Sequence, residues 1–267
     1  MTKYFASYLM LFFGFVPLLT KADGLNDLKR ALQKLNSNTP ISATLITTSY
    51  HQQGEGKNKI VKSGEAQVYL SDDHQGLQIT YSNQILAKLE HEASERIKDE
   101  NAETPTLNAI NKNNATEIKS TLSAASDIIR TMAQANFINE EAITINGEEL
   151  RQLNFELPVS AIINDKRTRE YVKKFESSYS VVIDDNGIPI STKIDFNGKG
   201  RAYIVLSVKA KGFEHATYQV VEQRLVRITN ESSSTFDSTF GYTERKNKNL
   251  LTLNENKNAV IALNKAQ

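Results

Sequence analysis

From Lys173 to Ile228 apolar and polar side chains alternate around tight-turn residues, a pattern that commits this part of the chain to a meander of antiparallel strands. Phe175, Tyr179, Val181 and Ile183 alternate with Lys174, Glu176, Ser178 and Ser180. Beyond Asn186-Gly187, Ile188, Ile190, Ile194 and Phe196 alternate with Ser191, Lys193 and Asp195. Asn-Gly is the residue pair that best tolerates the two positive φ angles of a type I′ turn, so a two-residue loop is expected there. That loop sets Ile183 opposite Ile190, Val181 opposite Thr192 and Tyr179 opposite Ile194.

Other turn signals extend the meander. Asn146-Gly147 is expected to return a strand at Ala142–Ile145 as Leu150–Leu157, which Pro158 ends. At Asn197-Gly198 a three-residue turn with a bulge is expected, because only an odd loop keeps Ala202, Ile204, Leu206 and Val208 on the apolar face. Ala216, Tyr218 and Val220 continue that face to a turn at Glu222-Gln223. Asn230–Ser234 reads as a connection and Lys246–Asn249 as a last hairpin.

Upstream, Leu25, Leu28, Leu32 and Leu35 form one stripe of an amphipathic helix that Pro40 ends. Strands at 41–50, 60–70 and 77–81 follow. The period then changes to about 3.6. Ile85, Leu86, Leu89, Ala93 and Ile97 line one side of a charged helix, opposite Lys88, Glu92, Glu95, Arg96 and Asp99. A linker at 101–114 leads to a second helix, about 116–137, with Ile118, Leu122, Ala125, Ile129, Met132 and Ala133 inward. The expected fold is α+β: a large curved antiparallel sheet, half-barrel-like, with an N-terminal helix and a two-helix insertion (83–138) covering one face.

The first residues read as an export signal. Lys3 gives a positive start, Tyr4–Leu19 an apolar core too short to span a bilayer, and Thr20-Lys21-Ala22 a small-residue exit, with cleavage expected between Ala22 and Asp23. One domain is expected over 23–254, followed by a polar, flexible tail at 255–267. The chain has no cysteine, which excludes disulfides, thiol nucleophiles and lipid attachment at a cysteine. Export without disulfides favours the bacterial periplasm, with secretion as the alternative. Removing Lys3 and Lys21 takes the net charge from +1 to −1, a balance that gives nucleic-acid binding no support.

Motifs for chemistry are sparse. Asp72-Asp73-His74 and Asp184-Asp185-Asn186-Gly187 have metal-binding composition, but turn chemistry accounts for both. Gly-x-Ser-x-Gly is absent, and only His51, His74, His91 and His215 could serve as a base; His91 falls on the polar side of a charged helix and His215 beside a turn, both surface positions. No catalytic residue, cofactor or metal is expected. The basic run Lys166, Arg167, Arg169, Lys173, Lys174 could meet anionic headgroups or a partner, or remain a solvated face. Tyr179, Ile194, Phe196, Ile204, Tyr218, Phe236 and Phe240 are the candidate lining of an apolar ligand site.

An N-terminal helix (Leu25 to Leu35), a meander (Ile41 to Tyr81), a helical insertion (Gln84 to Phe137) and a further meander to Leu253 resemble, in order of elements, the outer-membrane lipoprotein carrier superfamily. The resemblance implies a curved half-barrel closed by helices over a cavity for acyl chains. It transfers no individual functional residue. The stretch Gly198–Ser207 is also similar to bacterial envelope proteins of unassigned activity. The expectation is a periplasmic, non-enzymatic binding or carrier protein for a lipid, lipoprotein or other apolar group, without a membrane span after cleavage. The alternative is an envelope interaction protein with a filled core and a protein partner.

Overall fold

In the computed structural model, residues 23–163, 166–202, 206–239 and 241–254 are described. The export segment up to Ala22, the tail 255–267, and Ile204 and Phe240 lie outside the described residues. Ten strands form one antiparallel sheet: β1 (Ile41–Gln53), β2 (Ile60–Asp73), β3 (Gly76–Thr80), β4 (Asn136–Ile145), β5 (Glu148–Glu156), β6 (Val172–Ile183), β7 (Pro189–Ala202), β8 (Leu206–Val221), β9 (Arg224–Ser238) and β10 (Gly241–Leu253). Their spatial order is β3-β2-β1-β10-β9-β8-β7-β6-β5-β4, so the sheet stays open, with β3 and β4 at its edges. Register shifts interrupt the β4–β5, β6–β7 and β8–β9 ladders, and such bulges bend and twist a sheet.

Helix α1 (Gly24–Lys34) begins on Asp23, whose side chain accepts from the Asn26 amide. Four helices join β3 to β4 where two were expected: α2 (Asn83–Lys98), α3 (Pro105–Ile110), α4 (Ala115–Leu122) and α5 (Ala124–Gln134). Two short helices, α6 (Val159–Ile162) and α7 (Lys166–Tyr171), precede β6. The expected single helix 116–137 is broken at Ser123, which leaves helical conformation at φ −142°, ψ 68°. That break rotates the following turns, so Ile128 is buried and Ile129 faces out. Strand β4 then starts at Asn136, six residues earlier than expected from Ala142.

Helix α2 also departs from expectation. Leu86 and Ile97 are 48% and 87% exposed, whereas Glu92, expected on the polar side, is buried. Its carboxylate accepts from the Thr106 and Leu107 amides at 3.0 and 2.9 Å, capping α3. A capping bond satisfies buried amides that no apolar side chain could, so it fixes the helix rotation against its apolar stripe.

The meander is largely as the alternation implies. Tyr179 pairs with Ile194 and Val181 with Thr192, but Ile183 sits opposite Pro189 rather than Ile190. The loop is longer than the expected two residues: the Asp184 amide donates to Ile188 O, and the Gly187 amide to Asp184 O. Asp184 Oδ1 also accepts from the Asn186 and Ile188 amides, and Gly187 alone takes positive φ. This is a three-residue loop, and the irregularity at Ile183 absorbs its extra residue and restores the expected pairing beyond it. The two-residue turns at Asn146-Gly147 and Glu222-Gln223 match expectation.

Three expected turns are strand interior. Asn197-Gly198 lies within β7, Asn230–Ser234 within β9, and Lys246–Asn249 within β10. Each of these strands has a ladder partner on both sides, and two complete ladders outweigh a weak local turn preference.

Two apolar clusters fill the covered face. Leu28 and Leu32 of α1, Ala125 and Ile128 of α5, Leu153 and Phe155 of β5, and Tyr179, Val181 and Ile183 of β6 form one. Ile118 and Leu122 of α4 pack on Ala43, Leu45, Val68, Leu70, Val226 and Leu251 in the other. Between α4 and the sheet lies Arg224, 1% exposed. Its Nε donates to Leu122 O, its Nη1 to Thr39 O at 2.8 Å, and its Nη2 to the buried Asp72, which Lys119 Nζ also reaches at 2.7 Å.

Burial alone would raise the Asp72 carboxyl, but the hydrogen bonds from Arg224 and Lys119 outweigh it and hold the group below its ordinary value of 3.8. A carboxyl lowered by folding stabilises the protein above that ordinary value and ceases to do so as pH falls through the folded one. Urea unfolding should therefore show stability falling below about pH 4. Asp72→Asn should flatten that acid limb. Arg224→Met, which strands the buried carboxylate, should cost about 3–5 kcal/mol at pH 7.

Candidate functional site

The covered face changes character along the strands. Beyond the apolar clusters comes a polar belt: Thr47 and Ser49 of β1, Asn247 and Asn249 of β10, Asn230 and Ser232 of β9, and Glu214 of β8. Register places these residues on the same face as Leu45 and Leu251. Ser49 is 3% exposed, and its hydroxyl, with the side-chain oxygens of Asn230, Asn247 and Asn249, is buried without a protein hydrogen-bond partner. Thr47 is met by Asn113 of the α3–α4 loop, at 2.8 and 3.0 Å.

Glu117 of α4 is exposed but lies close enough to Glu214 of the belt to feel its charge. Partial desolvation beside the sheet, followed by the negative charge of Glu214, raises its carboxyl above the ordinary value, although Arg227 and Lys112 oppose the shift. Arg227 in turn pairs with Asp127 of α5 at 2.5 Å. Burial disfavours the guanidinium charge, but Tyr218, Glu214 and Asp127 together outweigh it and raise its value.

Beyond the belt the face becomes apolar again and opens into a pocket of about 400 Å³. Phe196 of β7, Val208 and Ala210 of β8, and Phe236 of β9 form its floor, while Val172, Ile162 and Ile163 wall it from the α6 side. Thr243 and Arg245 of β10 supply its polar rim. Phe196 is held by a glycine beneath it: a Cβ on Gly212 would stand 2.7 Å from the Phe196 ring and 2.6 Å from Ser233 O. Phe236 is 38% exposed at the mouth.

Of the candidate lining residues, Phe196 and Phe236 line this pocket. Tyr179 is elsewhere, buried in the first apolar cluster with its ring 5.6 Å from that of Phe155. Ile194 and Tyr218 pack against that cluster, and the Tyr218 hydroxyl lies 2.7 Å from Thr192 Oγ1. These three are filled core because α1 and α5 cover that end of the face, whereas no helix among α1–α5 contributes to the lining of the pocket. Sequence reading missed Val172, Val208, Ala210 and the α6 isoleucines. Val208 was legible as a strand-face residue, but nothing in its spacing told open face from covered face.

The turn at Asp72-Asp73-His74 holds no metal set. Asp72 turns inward to Arg224, and Asp73 accepts from the Gln75 amide at 2.8 Å. Among the described residues no group of three potential metal ligands forms, and no helix is long and apolar enough to cross a membrane. Neither a protein-family model nor a curated protein sequence matches the chain.

Folding raises the Glu117 carboxyl, so the folded state favours its protonated form, and this group's contribution to stability declines as pH rises from its ordinary value of 4.5 through the folded one. Glu117→Gln should therefore be more stable than the parent at pH 7.5 and lose that advantage near pH 4. Urea midpoints at the two pH values check the difference.

Proposed function

We propose that this chain is an exported, periplasmic, non-enzymatic binding or carrier protein for a lipid or another apolar group. The observation that carries the reading is the pocket walled by Phe196, Phe236, Val208, Ala210, Val172, Ile162 and Ile163 at the uncovered end of the sheet. Its volume of about 400 Å³ falls within the range of small-molecule sites, which are mostly apolar with a few polar groups at fixed positions. Arg245 and Thr243 at the rim are suited to a polar or anionic head, and the aromatic floor to a hydrocarbon tail.

A second reading, an envelope interaction protein, draws on edge strand β4. Its outer ladder is unpaired among the described residues, and Phe137 and Ile138 stand exposed on it. Such an edge can accept a strand from a partner.

Extraction of protein purified from the periplasm, followed by lipid mass spectrometry, should yield a co-purifying amphiphile. A fluorescent fatty acid should bind the delipidated protein and be displaced by that amphiphile. Phe236→Ser, at a half-open position, should weaken fatty-acid binding about tenfold without shifting the unfolding midpoint by more than about 1 kcal/mol. No co-purifying amphiphile together with unchanged fatty-acid binding in Phe236→Ser would remove the carrier reading and leave the partner-binding one.

A further inference from the structure

The uncovered face of the same strands carries an unusual row of like charges. Lys174 of β6 stands directly opposite Lys199 of β7, which stands directly opposite Lys209 of β8. Lys211 and Asn197 form the next cross-strand pair. All four lysines are exposed. Directly opposed side chains on one face lie about 5 Å apart at Cβ, where like charges repel and destabilise the sheet. Two such lysine pairs in succession are not explained by strand pairing, whereas a row of ammonium groups across adjacent strands matches an anionic surface.

The neighbouring groups leave the row cationic. Among the described residues, Asp237 is its one ion-pair partner, 4.0 Å from Lys209. Glu176 lies in the adjacent row, and Asp195, one row further, is taken up by Lys193 at 2.8 Å. Arg201 adds a positive charge beyond Lys199 on the same face. Lys199, Lys209 and Lys211, with Asn197, Thr235, Asp237 and Tyr242, bound a shallow hollow of about 420 Å³.

This row lies back to back with the apolar pocket. Lys209 and Ala210 are neighbours in β8, Phe236 and Asp237 in β9, and Tyr242 and Thr243 in β10, one of each pair on either face. We propose that the lysine row docks this face of the sheet onto anionic phospholipid headgroups of a bilayer, with the apolar pocket on the face turned away from it. Tyr242, with an apolar ring and a polar tip, fits the headgroup level, where such side chains concentrate. The proposal goes beyond the carrier reading: it assigns a membrane-facing side to the sheet and does not depend on what the pocket holds.

Sedimentation of the full chain with phosphatidylcholine vesicles, with and without phosphatidylglycerol, tests it. Binding is expected only with phosphatidylglycerol, weakening as added salt shortens the Debye length toward about 8 Å at physiological ionic strength. Each lysine near an anionic surface contributes about fivefold in affinity, so Lys174→Gln, Lys199→Gln and Lys209→Gln together should lower vesicle binding about a hundredfold. That triple variant should still bind the fluorescent fatty acid, and Phe236→Ser should still bind vesicles, so failure of the pocket and failure of the lysine row are read separately. Equal binding to phosphatidylcholine alone, undiminished binding by the triple variant, or complete competition by glycerol phosphate at the concentration of the lipid headgroups would each overturn it. The last result would assign the row to a soluble phosphate instead.

Discussion

A single buried guanidinium ties together four separate segments of the chain. Arg224 begins β9, yet its three nitrogens end on the last carbonyl of α4, on the carbonyl before Pro40 and on Asp72 near the end of β2. Buried cations are tolerated only when such partners are complete, so the geometry of all four segments is set by one side chain. The backbone reinforces this junction: Leu225 donates to Leu35 O and Ser37 to Gln223 O, tying the end of α1 to the β8–β9 turn. The helices therefore settle over one half of the sheet and leave the other half uncovered, and the apolar pocket exists because of that asymmetry.

Much of the sheet was legible in its alternation. Tyr179 opposite Ile194 and Val181 opposite Thr192 follow from period-two patterning alone, since a one-residue slip would turn every apolar side chain outward. The turn at Asn186-Gly187 was located but not typed, because the Asp184 carboxylate adds two hydrogen bonds that favour a longer loop over the type I′ form. Helix α2 was misread in rotation for a similar reason: a carboxylate capping α3 outweighs an apolar stripe that the fold leaves in water.

The site was legible only in part. Phe196 and Phe236 were recognisable as aromatics on a strand face, and both line the pocket; Tyr179 and Tyr218 carried the same signature and are core. What separates them is where helices lie, a tertiary fact that strand periodicity does not encode. The polar belt was hidden by its own composition. Asn230, Ser232, Asn247 and Asn249 are residues that local rules assign to turns, and only pairing on both flanks reveals them as interior strand positions facing the helices.

The order of strands carries a consequence for how the protein is made. Strand β1 lies between β2 and β10, so the earliest strand of the sheet waits for the latest one. The β1–β3 ribbon, synthesised first, has an open flank until nearly the whole polypeptide has emerged. Closing a seam over so great a sequence separation is entropically slow, and an unpaired flank invites association with other chains in the interval. A nascent molecule of this topology thus spends its most vulnerable period with its central seam unmade, and its yield is governed by whatever shields that flank until the final strand arrives.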